Sequence, residues 1–170
     1  MKKLIDIVAR LRAPDGCSWD RKQTHVSLIP YLLEEAWEVI DEIQQEKSDA
    51  SLKEELGDLL LQIVLHAQIA GESNRFTMDD IVDAISDKMV QRHPHVFQRN
   101  NKNLSDKELT NQWHEIKARE KKRKSINEGI PVGAPALMNA LTISKRAASL
   151  GFDWETPGDV LLKVEEELEE

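Results

Sequence analysis

Apolar residues recur three and four apart along nearly the whole 170-residue chain, and strand-like alternation is almost absent. That spacing collects oily side chains on single helical faces, so the expected fold class is an all-α helical bundle. Leu4, Ile7, Val8 and Leu11 form one stripe over residues 2–12, which APDG stops. After the loop DGCSWDRKQTH, a second helix is expected over residues 27–45. Ser27 suits its cap, and Pro30 fits the first turn, where a missing N–H costs nothing.

EKSDAS then turns the chain into a third helix over residues 52–70. Ser51 with Glu54, Thr77 with Asp80 and Ser105 with Glu108 each pair a hydroxyl with an acid three residues on, the form of a capping box. The last two place further helices over 78–91 and 106–124. HPHVF, residues 93–97, interrupts the pattern, and Gly129, Pro131, Gly133 and Pro135 mark a stronger break. The main bundle is therefore expected over residues 1–128, with a linker and further helices over 129–170.

Composition narrows the chemistry. With 31 acidic and 23 basic residues the formal charge is −8, so stable nucleic-acid binding is not expected, while a metal-bridged phosphate ligand stays open. Cys17 is the only cysteine, which excludes an internal disulfide and any four-cysteine metal site and suggests a cytoplasmic setting. MKKLIDIVARLRAPDG lacks the apolar stretch of a signal peptide, and the longest oily run is broken by Gln62, His66 and Gln68. Membrane association is not expected.

YLLEEAWEVIDEI carries Glu35 and Glu38 one helical turn apart, and LKEELGDLLLQ repeats the spacing with Glu55 and Asp58. An antiparallel hairpin through EKSDAS sets Glu38 level with Glu55 and Glu35 level with Asp58. Both pairs border apolar stripes. Four facing carboxylates there would repel each other and lose hydration, so they need protonation, basic partners or a cation. Mg²⁺ meets that need with carboxylate and water oxygen, and Mn²⁺ substitutes chemically. No histidine shares the spacing, which argues against a di-iron site. The competing reading is a solvated acidic surface; Asp41, Glu42 and Glu54 fit it best, whereas Glu34 also suits a supporting place beside the ligands.

Trp19 lies in a loop with Arg12, Asp15, Asp20, Arg21, Lys22 and His25. Its indole suits either a nucleobase or a plug for the bundle end. HEIKAREKKRK offers Lys117 and Arg119 to phosphate, or is simply a wet helix end favoured by the helix dipole. Arg92 is a further phosphate candidate; His93 and His95 read as local packing residues, and Cys17 as an inert thiol. Gly57 suits close helix approach. There is no glycine-rich phosphate loop and no dinucleotide fingerprint.

EEAWE, residues 34–38, followed by ELGD, residues 55–58, resembles the EExxE and ExxD pair of the MazG family of nucleoside triphosphate pyrophosphohydrolases. GCSWDRKQTHVSL, RHPHVF and GFDW are similar to that family as well, with Ser18 where proline is common. The resemblance implies a MazG-like all-α bundle that usually dimerises, with Mg²⁺ held by Glu35, Glu38, Glu55 and Asp58 and tuned by Glu34. It also implies hydrolysis of an NTP or dNTP between the α and β phosphates, giving a monophosphate and pyrophosphate. Trp19, Arg92, Lys117 and Arg119 are the expected substrate contacts, the last three on charge alone. EEELEE, residues 165–170, repeats the EExxE spacing through Glu166, Glu167 and Glu170, so residues 129–170 look like a linker and the truncated start of a second MazG-like module. The alternative function is a nucleotide-binding regulatory or assembly module with little turnover.

Overall fold

Helix α4 (Asp49–Glu72) is the axis of the first hundred residues in this computed structural model. Helices α1 (Lys2–Arg12), α3 (Ile29–Gln44) and α5 (Met78–Arg92) all pack on it. The structure describes residues 1–98, 104–121, 125 and 128–169, apart from the side chains of residues 114, 118, 119 and 121. Two short helices complete the first part: α2 (Ser18–Lys22) packs on α1, and α6 (Pro94–Phe97) packs on α5. Helices α7 (Asp106–Lys121), α8 (Ala136–Ala148) and α9 (Pro157–Glu169) follow, and the described residues contain no strand. The chain divides into compact units Met1–Asn100 and Asn101–Glu170.

Val8, Leu28, Val64 and Leu65 form the buried core of the first unit, with Leu4, Ile5, Leu61, Ile69 and Met78 packed around it. Each such aliphatic side chain contributes about 1.5–3 kcal/mol by leaving water. On α1 the inward stripe is Leu4, Ile5 and Val8; Ile7 and Leu11, expected within it, are exposed. The α1 stop is tight. Cys17 N donates to Leu11 O at 2.7 Å, and a Cβ on Gly16 would stand 2.2 Å from that same oxygen, so only glycine fits. Gly57 is different: a Cβ there would meet open space, so it allows no special helix approach.

The helix starts show which hydroxyls act. Thr77 and Asp80 make the full capping box of α5, and Ser105 and Glu108 exchange the same bonds ahead of α7. At α4 the cap is Ser48, whose hydroxyl accepts from Ser51 N at 3.2 Å, one turn before the expected Ser51. Helix α3 begins after Leu28, which makes no side-chain cap. Ser27 is instead tied to Thr24 by reciprocal backbone-to-hydroxyl bonds of 2.9 and 3.1 Å, because the turn before the helix offers it a nearer partner. The loop expected between the first two long helices also contains α2.

Both ends of the helical hairpin close in the Schellman manner. After α3, Glu46 N donates to Ile43 O and Lys47 N to Glu42 O, with Glu46 left-handed at φ 48. After α4, Asn74 N and Arg75 N donate to Gly71 O and Ala70 O, with Asn74 at φ 53. The first of these closures turns the chain so that α4 packs back along α3. In the second unit, Gly151 at φ 88 ends α8 by the same pattern, and Arg146 and Asn139 tie α8 to the carbonyls of Glu128, Pro131 and Ala134.

Candidate functional site

Glu35 on α3 and Glu55 and Asp58 on α4 each offer a carboxylate oxygen, and these oxygens all lie within 4.8 Å of one another. All three side chains are half-buried. The packing of α3 on α4 produces this grouping, which brings Glu35 to Asp58 but leaves out Glu38, expected level with Glu55. Partial burial, followed by repulsion from Asp58 and Glu38, raises the pKa of Glu35. Burial, followed by Glu38 and Asp58, does the same for Glu55. A set of like charges that disfavours its own ionisation is the donor chemistry a hard divalent cation relieves. On that ground the residues fit such an ion.

Glu38 is exposed and outside the tight trio, although its charge acts on both Glu35 and Glu55. Glu34 is exposed on the same helix. Glu42, one turn beyond Glu38, was expected to be solvated and is buried instead. It accepts from Lys47 Nζ at 2.8 Å, which with nearby Ser51 holds its pKa down. The hairpin turn carries its own counter-charge back to this acid.

Trp19 is half exposed on α2 and meets Tyr31 edge-on, with ring centroids 5.6 Å apart. Arg92 is buried at the end of α5. Lys117 is half-buried on α7, in the second unit, and the Arg119 side chain lies outside the described residues. His93 donates through its ring to Met89 O at 2.7 Å and meets His95 edge-on, the local packing role expected of them. Cys17 is a free, half-buried thiol. In α9, Lys163 pairs with Glu166 at 2.6 Å and Glu167 at 3.0 Å, while Glu170 lies outside the described residues. No helix among the described residues is long and apolar enough to cross a membrane.

Gln62 is a polar residue the periodicity passed over. It follows Asp58 by four positions on α4, is only 6% exposed, and acts against the upward shift of the Glu35 pKa. The signal was its place in the series Glu55, Asp58, Gln62, which shares one helical face and crosses an otherwise apolar stretch.

Residues 23–97 match the family described as the MazG nucleotide pyrophosphohydrolase domain. A Thermotoga maritima protein named nucleoside triphosphate pyrophosphohydrolase/pyrophosphatase MazG is 50% identical, across 99% of this chain and 65% of its own length. An Escherichia coli K12 protein named nucleoside triphosphate pyrophosphohydrolase is 48% identical over the same shares, 99% and 65%. The chain thus spans just under two thirds of these relatives. The crystal structure of a mazG-related protein from Thermotoga maritima superposes with a TM-score of 0.58 at 26% identity, covering 69% of this chain and 98% of that one. The matched segment contains the whole Glu35, Glu55 and Asp58 group, and nearly the full length of the chain is similar to MazG proteins at 48–50% identity.

Proposed function

We propose that this chain is a nucleoside triphosphate pyrophosphohydrolase that depends on Mg²⁺, with Mn²⁺ as a substitute. It would cleave an NTP or dNTP between the α and β phosphates, giving a nucleoside monophosphate and pyrophosphate. The observation that carries the reading is the trio Glu35, Glu55 and Asp58, half-buried, with neighbouring acids raising the pKa of Glu35 and Glu55. The names of the relatives at 48–50% identity supply the reaction class.

In this reading Glu35, Glu38, Glu55 and Asp58 hold the ion, and Glu34 tunes their charge from the exposed side. When bound, the ion supplies Lewis-acid stabilisation of negative charge on the phosphate oxygens. The carboxylates then also orient a water for in-line attack, since phosphoryl transfer asks mainly for positioning and charge stabilisation. Trp19 offers a ring face to the nucleobase, and Arg92, Lys117 and Arg119 are phosphate contacts proposed on charge. Residues 1–128 would form the catalytic bundle and residues 129–170 the linker and start of a second module. A homodimer in the cytoplasm completes the proposal; exposed Leu33, Trp37 and Ile40 on α3 supply apolar surface suited to a second copy.

Product analysis with a panel of NTPs and dNTPs tests this directly. Equal amounts of monophosphate and pyrophosphate, lost on chelation and sharply reduced in Glu38→Gln, are expected. Orthophosphate with diphosphate would reject the cleavage position. Nucleotide binding without turnover would favour a regulatory or assembly module.

A further inference from the structure

Arg75, His25, His66 and Gln62 run from an exposed end through two half-buried rings to a buried amide, and the hydrogen-bond directions can be worked out from the exposed end. Arg75, just after α4, bonds His25 Nε2. A guanidinium only donates, so His25 Nε2 is an acceptor and the proton of the neutral ring sits on Nδ1. His25 Nδ1 lies 2.7 Å from His66 Nδ1. With the proton on His25, His66 Nδ1 must accept, which leaves the His66 proton on Nε2.

That Nε2–H is buried and has no hydrogen-bond partner. One helical turn earlier on the same face of α4, the carboxamide oxygen of Gln62 is also buried without a partner. One is a donor and the other an acceptor. Residues four apart on a helix are neighbours, about 5–6 Å between Cβ atoms, and one bridging water can join two such atoms that do not bond each other directly. Leaving both unmet would cost about 1–3 kcal/mol each. The Gln62 amide nitrogen is then the end left to face Glu35, whose pKa Gln62 lowers.

We infer that Arg75, His25, His66 and Gln62 form a directional relay of positioning residues that fixes the Glu35 carboxylate. Each member sets the polarity of the next. Arg75 selects the His25 tautomer, His25 selects that of His66, and His66 holds the Gln62 oxygen inward so that its amide group donates to Glu35. One Glu35 oxygen is thereby engaged and the other is aimed at Glu55 and Asp58. The inference rests on the proposed cation site, for which Glu35 is a ligand.

The test uses the whole chain and two readouts. Long-range ¹⁵N–¹H NMR of the imidazoles at neutral pH reports the tautomers without any metal; His25 is expected as Nδ1–H and His66 as Nε2–H. Mn²⁺ titration of Gln62→Met and His66→Phe, each of similar volume, is expected to show affinity weakened by about 10–100-fold. The double variant should be no weaker than the worse single one, because both break the same line. The opposite tautomers, or affinities within twofold of the unaltered chain, would overturn the relay while leaving the cation site standing. Failure of the unaltered chain to bind Mn²⁺ would overturn the cation site and the relay with it. Should Gln62→Met not fold, the tautomers and His66→Phe still decide.

Discussion

Arg12, at the last position of α1, grips Glu72, at the last position of α4, through bonds of 2.8 and 2.7 Å. Its side chain is only 5% exposed, and it also donates to the backbone carbonyls of Gln23 and Asp20. One guanidinium therefore joins two helix ends to the segment leading into α3. Arg12→Met keeps the aliphatic stem but leaves a carboxylate and two carbonyls without their donor. A loss of about 2–4 kcal/mol is expected, read as a lower urea midpoint at unchanged slope.

The same contact has an acid signature. Hydrogen bonding to Arg12 holds the Glu72 pKa below its ordinary value. The stability it contributes is thus present above the unfolded pKa and lost as pH falls through the lower, folded value. Urea midpoints measured between neutral pH and pH 3 should fall less steeply in Glu72→Gln than in the unaltered chain.

Glu35 and Glu55 carry the opposite sign. Burial and neighbouring acids raise their folded pKa values, so their contribution is present at low pH and lost as pH rises through those values. At neutral pH the metal-free chain carries this repulsion, and Glu35→Gln should raise its melting temperature. The same variant should lose at least about 100-fold in kcat/KM, more than typical loss of a residue that merely supports a ligand. Equal melting temperatures in chelator would contradict the repulsion.

Ser48 and Ser51 separate by mechanism. Ser48→Ala removes the α4 cap and should cost about 1 kcal/mol. Ser51→Ala acts through buried Glu42, whose pKa Ser51 helps to lower. Its cost should disappear in a Glu42→Gln background, whereas that of Ser48→Ala should persist; equal behaviour in a double-mutant cycle would place the cap elsewhere.

Glu46 occupies a left-handed position that glycine holds more easily. Glu46→Gly should stabilise the chain by roughly 0.5–1 kcal/mol, the left-handed penalty exceeding the added entropy of the unfolded glycine. Thermal unfolding at fixed pH checks it, and a destabilised variant would mean that the Glu46 side chain holds the turn in some other way.

What the sequence by itself determined is local. The spacing of apolar residues specified the long helices, and Thr77 with Asp80 specified the start of α5, because a capping box is complete within four residues. The grouping of Glu35 with Asp58 was also legible, since a short turn between two periodic helices leaves little freedom of register. Tertiary structure decided the rest. Ser48, Ser51 and Ser27 are chemically alike, and only the path of the turns selects which one caps. Glu42 and Glu38 lie on one helix, yet Lys47 reaches back to one while the other stays exposed beside the trio. The line from Arg75 through His25 and His66 spans some 50 positions of chain, and its proton directions depend on side chains that meet only when α4 is packed against the segment before α3. Helix formation depends on neighbours in sequence; burial, pairing and proton direction depend on neighbours in space.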